Sequence, residues 1–246
     1  MFKHYSPKQK VKTVIDIIFY LIFAYMVISV VINKDFTISG IAFLIIGIVC
    51  LVFGIRNEIL KQKYNKALFT LNYCCNPDKA EEQYNELVEK DIFNIYRDDR
   101  ALCDIMIELE RGNPKKVLKI IEDDDKKFSA NVELLLIKFY YQMRAHLMLG
   151  NTKAINEIYN DVKNIAAMKK RPKIFSYDEL EGIHQLALNN KGRALDCFKK
   201  INTIHMNPKE KKFILENLIA LSSGQDKEDY QAEYDTLLQV IEDENK

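Results

Sequence analysis

The sequence predicts an all-α chain, a two-helix transmembrane hairpin followed by an α-solenoid of about five helix pairs. Three observations carry that expectation. Two long apolar runs stand close together near the amino end, the apolar residues from Arg56 onward keep helical spacing without period-two alternation, and polar turns recur at nearly constant intervals. The domains that follow are a basic tail over 1–13, the hairpin over 14–55 with spans at 14–32 and 38–55, and a helical repeat region over 56–246.

The runs read VIDIIFYLIFAYMVISVVI and ISGIAFLIIGIVCLVFGI. At about 1.5 Å per residue each would extend roughly 27–29 Å, close to the thickness of a hydrocarbon core. Asn33 to Thr37 separate them, which predicts a tight hairpin. Lys3, Lys8, Lys10 and Lys12 precede the first run, Arg56, Lys61, Lys63 and Lys66 follow the second, and the turn holds only Lys34. That asymmetry places both termini in the cytoplasm of an integral cell-membrane protein, with the lipid bilayer as a partner through 14–55. A cleaved signal peptide fits less well, because the first run is long for an h-region and lacks a small-x-small end. A core hairpin of a soluble protein would need a large partner core that the remaining residues do not supply.

Gly40, Gly47 and Gly54 put missing side chains on one face of the second run. Such a face admits another helix, either Ala24 and Ser29 of the first run or a second copy of the chain, although glycine is also simply frequent in membrane helices. Asp16 lies one turn from the basic start and is expected to reach the interface near Lys12.

A net charge of +1 over 246 residues gives no electrostatic footprint for nucleic acid. Cys50, Cys74, Cys75, Cys103 and Cys197 lack C-x-x-C spacing, and a cytoplasmic setting makes them reduced thiols. The adjacent Cys74 and Cys75 are badly placed for a bridge, and no nearby His completes a metal ligand set.

Past the anchor, the turns NPDKAEEQY, GNPKKVLKII, GNTKAINEIY and NKGRALDCF each lead into a small or branched apolar residue, and SGQDKEDYQAEY is a looser fifth. Aligned on Ala80, Val117, Ala154, Ala194 and Ala232, they are spaced by 37, 37, 40 and 38 residues. On these residues the region resembles the tetratricopeptide repeat, whose second helix carries Ala after a Gly/Asn-rich turn and a large apolar residue four positions on; Tyr84, Ile121, Ile158, Phe198 and Thr236 occupy that place here. Gly182 lies twelve residues before Ala194, as the family's glycine would, and Ala220 stands likewise before Ala232. The period is longer than the family's 34 residues, most first-helix signature positions are unmatched and the closing proline is missing. Ala80, Ala154, Ala194 and Gly182 are the expected close crossings of paired helices. No Gly or Pro occurs between Gly54 and Pro77, and the sequence leaves open whether the second apolar helix runs on through this stretch or breaks near Arg56 to Glu58.

No phosphate loop, H-E-x-x-H or G-x-S-x-G pattern is present, so no catalytic, cofactor or metal residue is assigned. The histidines at 4, 146, 184 and 205 are isolated, and His146 and His184 fall on first helices as core or groove residues. Glu122 to Asp125 lack calcium-loop spacing and read as a solvated helix end. Lys169, Lys170, Arg171 and Lys173 form a basic linker. Phe139, Tyr141 and Arg144 are the candidate partner-binding residues, because Tyr and Arg concentrate binding energy at interfaces, and core packing is the competing account of the aromatic pair. The resemblance implies an adaptor or scaffold that binds a protein or peptide in a groove lined by first helices. The alternatives are a subunit of a larger membrane complex joined through the hairpin, and an enzyme with dispersed catalytic residues on a helical scaffold.

Overall fold

The computed structural model describes residues 7–32, 38–96, 99–167 and 175–245. Twelve helices follow one another: α1 (Pro7–Ile32), α2 (Ile38–Asn72), α3 (Pro77–Lys90), α4 (Arg100–Glu110), α5 (Pro114–Asp123), α6 (Asp125–Phe128), α7 (Val132–Met148), α8 (Thr152–Ala167), α9 (Tyr177–Ala187), α10 (Lys191–Lys199), α11 (Pro208–Leu221) and α12 (Gly224–Asn245), with no strand among the described residues. They form two compact units, one of residues 1–69 with 83–96, the other of residues 70–82 with 97–246.

In the first unit α1 and α2 lie antiparallel. A methyl group at Gly47 would come within 2.6 Å of a Val27 methyl, and one at Gly54 within 2.5 Å of the Tyr20 ring. The glycine face is therefore filled by Val27 and Tyr20 of α1, rather than by Ala24 and Ser29, and those two glycines offer no open surface to a second copy. The side-chain position of Gly40 lies outside the described residues. Asp16 faces Lys61 at 3.9 Å, and Lys61 also bridges Glu58 at 3.0 Å. The end of α3 closes the unit through Tyr84, whose hydroxyl donates to the Tyr96 carbonyl at 2.5 Å while Tyr64 packs its ring against both tyrosines.

Among the described residues no helix is long and apolar enough to cross a membrane. This overturns the expected transmembrane hairpin over 14–32 and 38–55, and with it the cell-membrane location with both termini in the cytoplasm. The reason lies in how charge enters the helices. α2 does not end at 55 but continues unbroken to Asn72, taking Arg56, Glu58, Lys61 and Lys63 into one helix. α1 likewise takes Lys8, Lys10, Lys12 and Asp16 into its first three turns.

The second unit stacks four helix pairs, α4 with α5, α7 with α8, α9 with α10 and α11 with α12, and the second helix of each of the first three pairs also packs on the first helix of the next. One core joins α4 through α9, and a second holds α10 to α12. Left-handed residues punctuate the chain at Cys75, Gly112, Gly150, Asn189 and Gly224, with φ of 49°, 76°, 66°, 59° and 61°. After three of them the N–H of Asn113, Asn151 and Asn190 reaches back to the carbonyl of Glu108, His146 and Gln185 at 2.9 Å each. This closure satisfies helix-end carbonyls and reverses the chain at once. Asn131, Ser176 and Asn207 cap the starts of α7, α9 and α11 by accepting from Leu134, Glu179 and Glu210 N–H.

Counting from the left-handed residue places Ala80, Val117, Ile155 and Ala194 in one register, all 0% exposed. Four residues on stand Tyr84, Ile121, Tyr159 and Phe198, all buried. The third turn thus sits one residue later than the sequence alignment has it, so Ile155 takes the central place and Ala154 is half-buried beside it. Ala232 and Thr236 are exposed on α12, which buries Leu237 and Ile241 instead, as suits a helix with no further pair to cover it.

Gly182 of α9 is a close crossing with α10: a methyl group there would meet the Phe198 ring at 2.9, 3.0 and 3.2 Å. Gly182→Leu is expected to destabilise the chain by about 1–3 kcal/mol, the usual cost of overpacking. Gly182→Ala with Phe198→Leu should recover most of the loss relative to Gly182→Ala alone in denaturant melts, and equal stability of Gly182→Leu and the parent protein would remove this crossing from the account.

Candidate functional site

The sequence YYQMR on α7 places Tyr140 and Arg144 one helical turn apart on a face that α9 and α11 cover. Tyr140 stacks on Phe175 with ring centroids 4.5 Å apart and planes 5° from parallel. Its hydroxyl donates to Glu179 Oε1 at 2.6 Å and receives an N–H from Arg144 Nη1 at 3.2 Å. The Arg144 guanidinium carbon lies 3.7 Å from the Phe213 ring centroid, so α11 caps it with an aromatic face. Glu179 comes from the first turn of α9, and Lys209 and Glu210 come from the first turn of α11.

This is a charged cluster inside the protein. Burial pushes the Glu179 carboxyl up, against the opposing pull of the Tyr140 hydrogen bond and the Arg144 charge. Burial likewise raises the Tyr140 hydroxyl well above its usual range. For Arg144 burial works against the charge, but Tyr140 and Glu179 outweigh it and hold the guanidinium protonated. Lys209 is 7% exposed and its Nζ has no hydrogen-bond partner. Burial, and then repulsion from Arg144, push its amine down to about 8, with Glu110 and Glu210 opposing. Glu210 is also raised by burial, although Asn207 hydrogen-bonds to it.

Beside the cluster lies an open cavity of about 350 Å3. It is built where the starts of α9 and α11 meet the loop after α10: Phe175, Ile201 and Met206 give it an apolar wall, and Ser176, Asp178, Lys200, Asn202, His205 and Glu210 a polar rim. Glu210 belongs to both cavity and cluster, and Phe175 joins them through its stack on Tyr140.

The residues singled out in the sequence fall unevenly. Arg144 is half-buried in the cluster, whereas Phe139 and Tyr141 are only 8% and 5% exposed and belong to the main core. The groove expected at Phe139 to Arg144 is occupied by α11 of the same chain, through Phe213 on Arg144 and through Lys212, whose Nζ lies 3.1 Å from Glu110 of α4. His184 stacks on Tyr159 at 4.0 Å with Nε2 3.0 Å from Asn156 Oδ1, and burial pushes both His146 and His184 down. The five cysteines are free; burial raises the thiols of Cys75 and Cys103 to about 11 and 12, which leaves them protonated and weakly nucleophilic. Asp125 of the acidic run pairs with Lys138. Among the described residues no cluster of His, Cys, Asp or Glu is arranged to hold a metal ion. The basic linker at 169–173 lies outside the described residues.

Sequence reasoning passed over Glu179, Lys209 and Glu210. The signal was present in Ser176-Tyr-Asp-Glu179 and Asn207-Pro-Lys-Glu210, the S/N-x-x-E pattern that starts a helix with an acid in its first turn. Two such starts converging on one place concentrate carboxylates there.

No protein-family model matches the chain, and no curated protein or solved structure stands out as its relative.

The buried amine gives a pH test. A folded-state value near 8, against about 10.4 for a free lysine, means that the unfolded chain binds more protons between those limits, so the cost of burying Lys209 is full below pH 8 and shrinks as pH rises. Lys209→Met is expected to stabilise the protein at pH 7, by up to about 3 kcal/mol, and by much less at pH 10. Melting curves at the two pH values check this; a gain of equal size at both contradicts it.

Proposed function

We propose that the second unit is a protein-interaction module that takes a basic side chain of a peptide or protein partner into the cavity between α9, α11 and the loop after α10. The observation that carries this reading is the pairing of an apolar wall with carboxylates in one open recess: Phe175, Ile201 and Met206 beside Asp178 and Glu210. An arginine or lysine side chain is itself apolar along its stem and charged at its tip, so it fits such a recess in one direction only. Charge-assisted hydrogen bonds to Glu210 and Asp178 would supply the specificity, and Ser176 adds a hydroxyl at the rim. The stacked helix pairs hold these groups on rigid elements, as helical arrays used for recognition do, and the work asked of them is binding rather than bond chemistry.

The raised carboxyl of Glu210 suits this role, because an entering cation would favour the ionised form that burial disfavours. Panning the purified full chain against a peptide library is expected to enrich sequences with Arg or Lys at one fixed position. Glu210→Gln keeps the helix-start pattern and should weaken binding of an enriched peptide about tenfold, the loss of one charge-assisted contact, with an unchanged melting temperature. Enrichment without a basic position, or affinity indifferent to Glu210→Gln and Met206→Ala together, refutes the assignment.

A further inference from the structure

The cavity between α9, α11 and the loop after α10 carries charge of both signs, and the two signs differ in exposure. Asp178 and Glu210 are half-buried in the first turns of α9 and α11, whereas Lys200, Asn202 and His205 are exposed, Lys200 at the end of α10 and the other two in the loop that follows it. Hydrogen bonds within these segments fix what the mouth can offer. Asn202 Oδ1 accepts from the Ile204 N–H at 3.0 Å, so the amide keeps its NH2 for a ligand, beside the Lys200 ammonium and the His205 ring. Ser176 is committed in the same way: its Oγ accepts from the Glu179 N–H at 3.1 Å, which leaves its O–H as a donor. The recess thus presents carboxylates within and donors at the mouth.

A basic side chain alone answers only the inner half. On its way to Asp178 and Glu210 it meets the Lys200 ammonium, a like charge, and it leaves the donors of the mouth to solvent. A carboxylate placed beside it reverses the first effect and uses the second. At about 350 Å3 the cavity stands at the lower end of the roughly 300–1,000 Å3 usual for ligand sites, room for one long side chain, so the carboxylate meets the mouth from outside rather than on a second inserted side chain. We propose, resting on the reading of this cavity as a site for a basic side chain, that it selects a basic residue with a carboxylate beside it: Asp178 and Glu210 take the basic head, and Lys200, Asn202 and His205 take the carboxylate. Two sources supply that chemistry in a peptide. One is the C-terminal carboxylate, when the basic residue is the last of its chain; the other is an acidic side chain two positions away, which in an extended peptide lies on the same face about 7 Å off.

The test measures, by fluorescence anisotropy, binding of short Ala/Ser peptides with one arginine to the purified full chain. One pair ends on the arginine, as free acid or as amide; a second pair, both amidated, holds the arginine inside with Glu or Gln two positions on; in a third set norleucine replaces the arginine. Free acid over amide, or Glu over Gln, is expected to bind about tenfold tighter, and the pair that does so names the source. In the double variant Lys200→Gln with His205→Gln, both at exposed positions, that ratio should fall to within about twofold at an unchanged melting temperature. Ratios near one for both pairs in the parent protein, with arginine peptides still weakened by Glu210→Gln, overturn this inference and leave the basic-side-chain reading standing. A ratio that survives the double substitution overturns it as well, since the carboxylate is then read elsewhere. Norleucine peptides that bind as well as their arginine counterparts overturn the basic-side-chain reading itself, and this inference with it.

Discussion

The backbone turn after each first helix is the constraint on which the second unit depends. A residue with φ near +60° followed by an asparagine whose N–H closes on the preceding helix lets the chain reverse within three residues, so the next helix must lie against the one just finished. Everything else in the pair follows from counting outwards from that point. The positions that enter the crossing are fixed, they are Val117, Ile155 and Ala194 in the three full turns, and each is fully buried. Glycine supplies the left-handed residue at 112 and 150 without strain. At 189 asparagine does so, one of the few other residues that tolerates this conformation. Glu108 shows how the turn is held from the side: only 3% of its side chain is exposed, and it accepts from Asn113, Arg111 and Lys116, which together outweigh the penalty of burial and keep its carboxyl below the usual range.

The buried charges of α7, α9 and α11 are a second-order consequence of the same stacking. Once first helices are aligned side by side, their polar residues face one another, and α11 closes over them. Arg144, Tyr140 and Glu179 form a chain of two hydrogen bonds, with Phe213 of α11 over the guanidinium, and such a network favours one arrangement of the three helices. Lys209 is different, because its amine enters the same interior with no hydrogen-bond partner and beside a like charge. A group held in that state costs stability, so its neighbours must fix it there by packing.

The helical class, the pairing of helices and the places of the turns were legible in the sequence, because Gly and Asn at the turns and small residues after them are local signals. The register of α7 with α8 was not. Ala154 looks like the family's alanine, but the left-handed residue at Gly150 puts Ile155 in the crossing, and only the turn geometry decides between neighbours. The groove at Phe139 to Arg144 was misjudged for a related reason. Periodicity shows that α7 has a polar and aromatic inner face but not that α11 returns to cover it, since that contact joins residues far apart in the chain. The charges at 179, 209 and 210 were passed over, and their meeting in space is a tertiary fact. The hairpin expectation rested on apolar length, the short turn and the distribution of positive charge; the sequence left open, and the structure shows, that Arg56, Glu58, Lys61 and Lys63 continue the same helix as the second apolar run.

The two units place their side chains in opposite ways. In the second, charged groups are drawn inside and the apolar residues are largely consumed by packing. In the first, Phe19, Leu21 and Tyr25 of α1 are 63%, 66% and 72% exposed, and Ile92 and Phe93 after α3 are 67% and 54% exposed. Glycine explains part of this contrast, since Gly47 and Gly54 let α1 and α2 approach through Val27 and Tyr20 and so reduce the number of side chains needed between them. The larger side chains are then turned outwards. Apolar side chains exposed in such number are surface of the kind that mediates interaction. On α2, Arg56 and Lys63 stand among Val52, Ile55 and Ile59, because the helix does not stop where its apolar run ends.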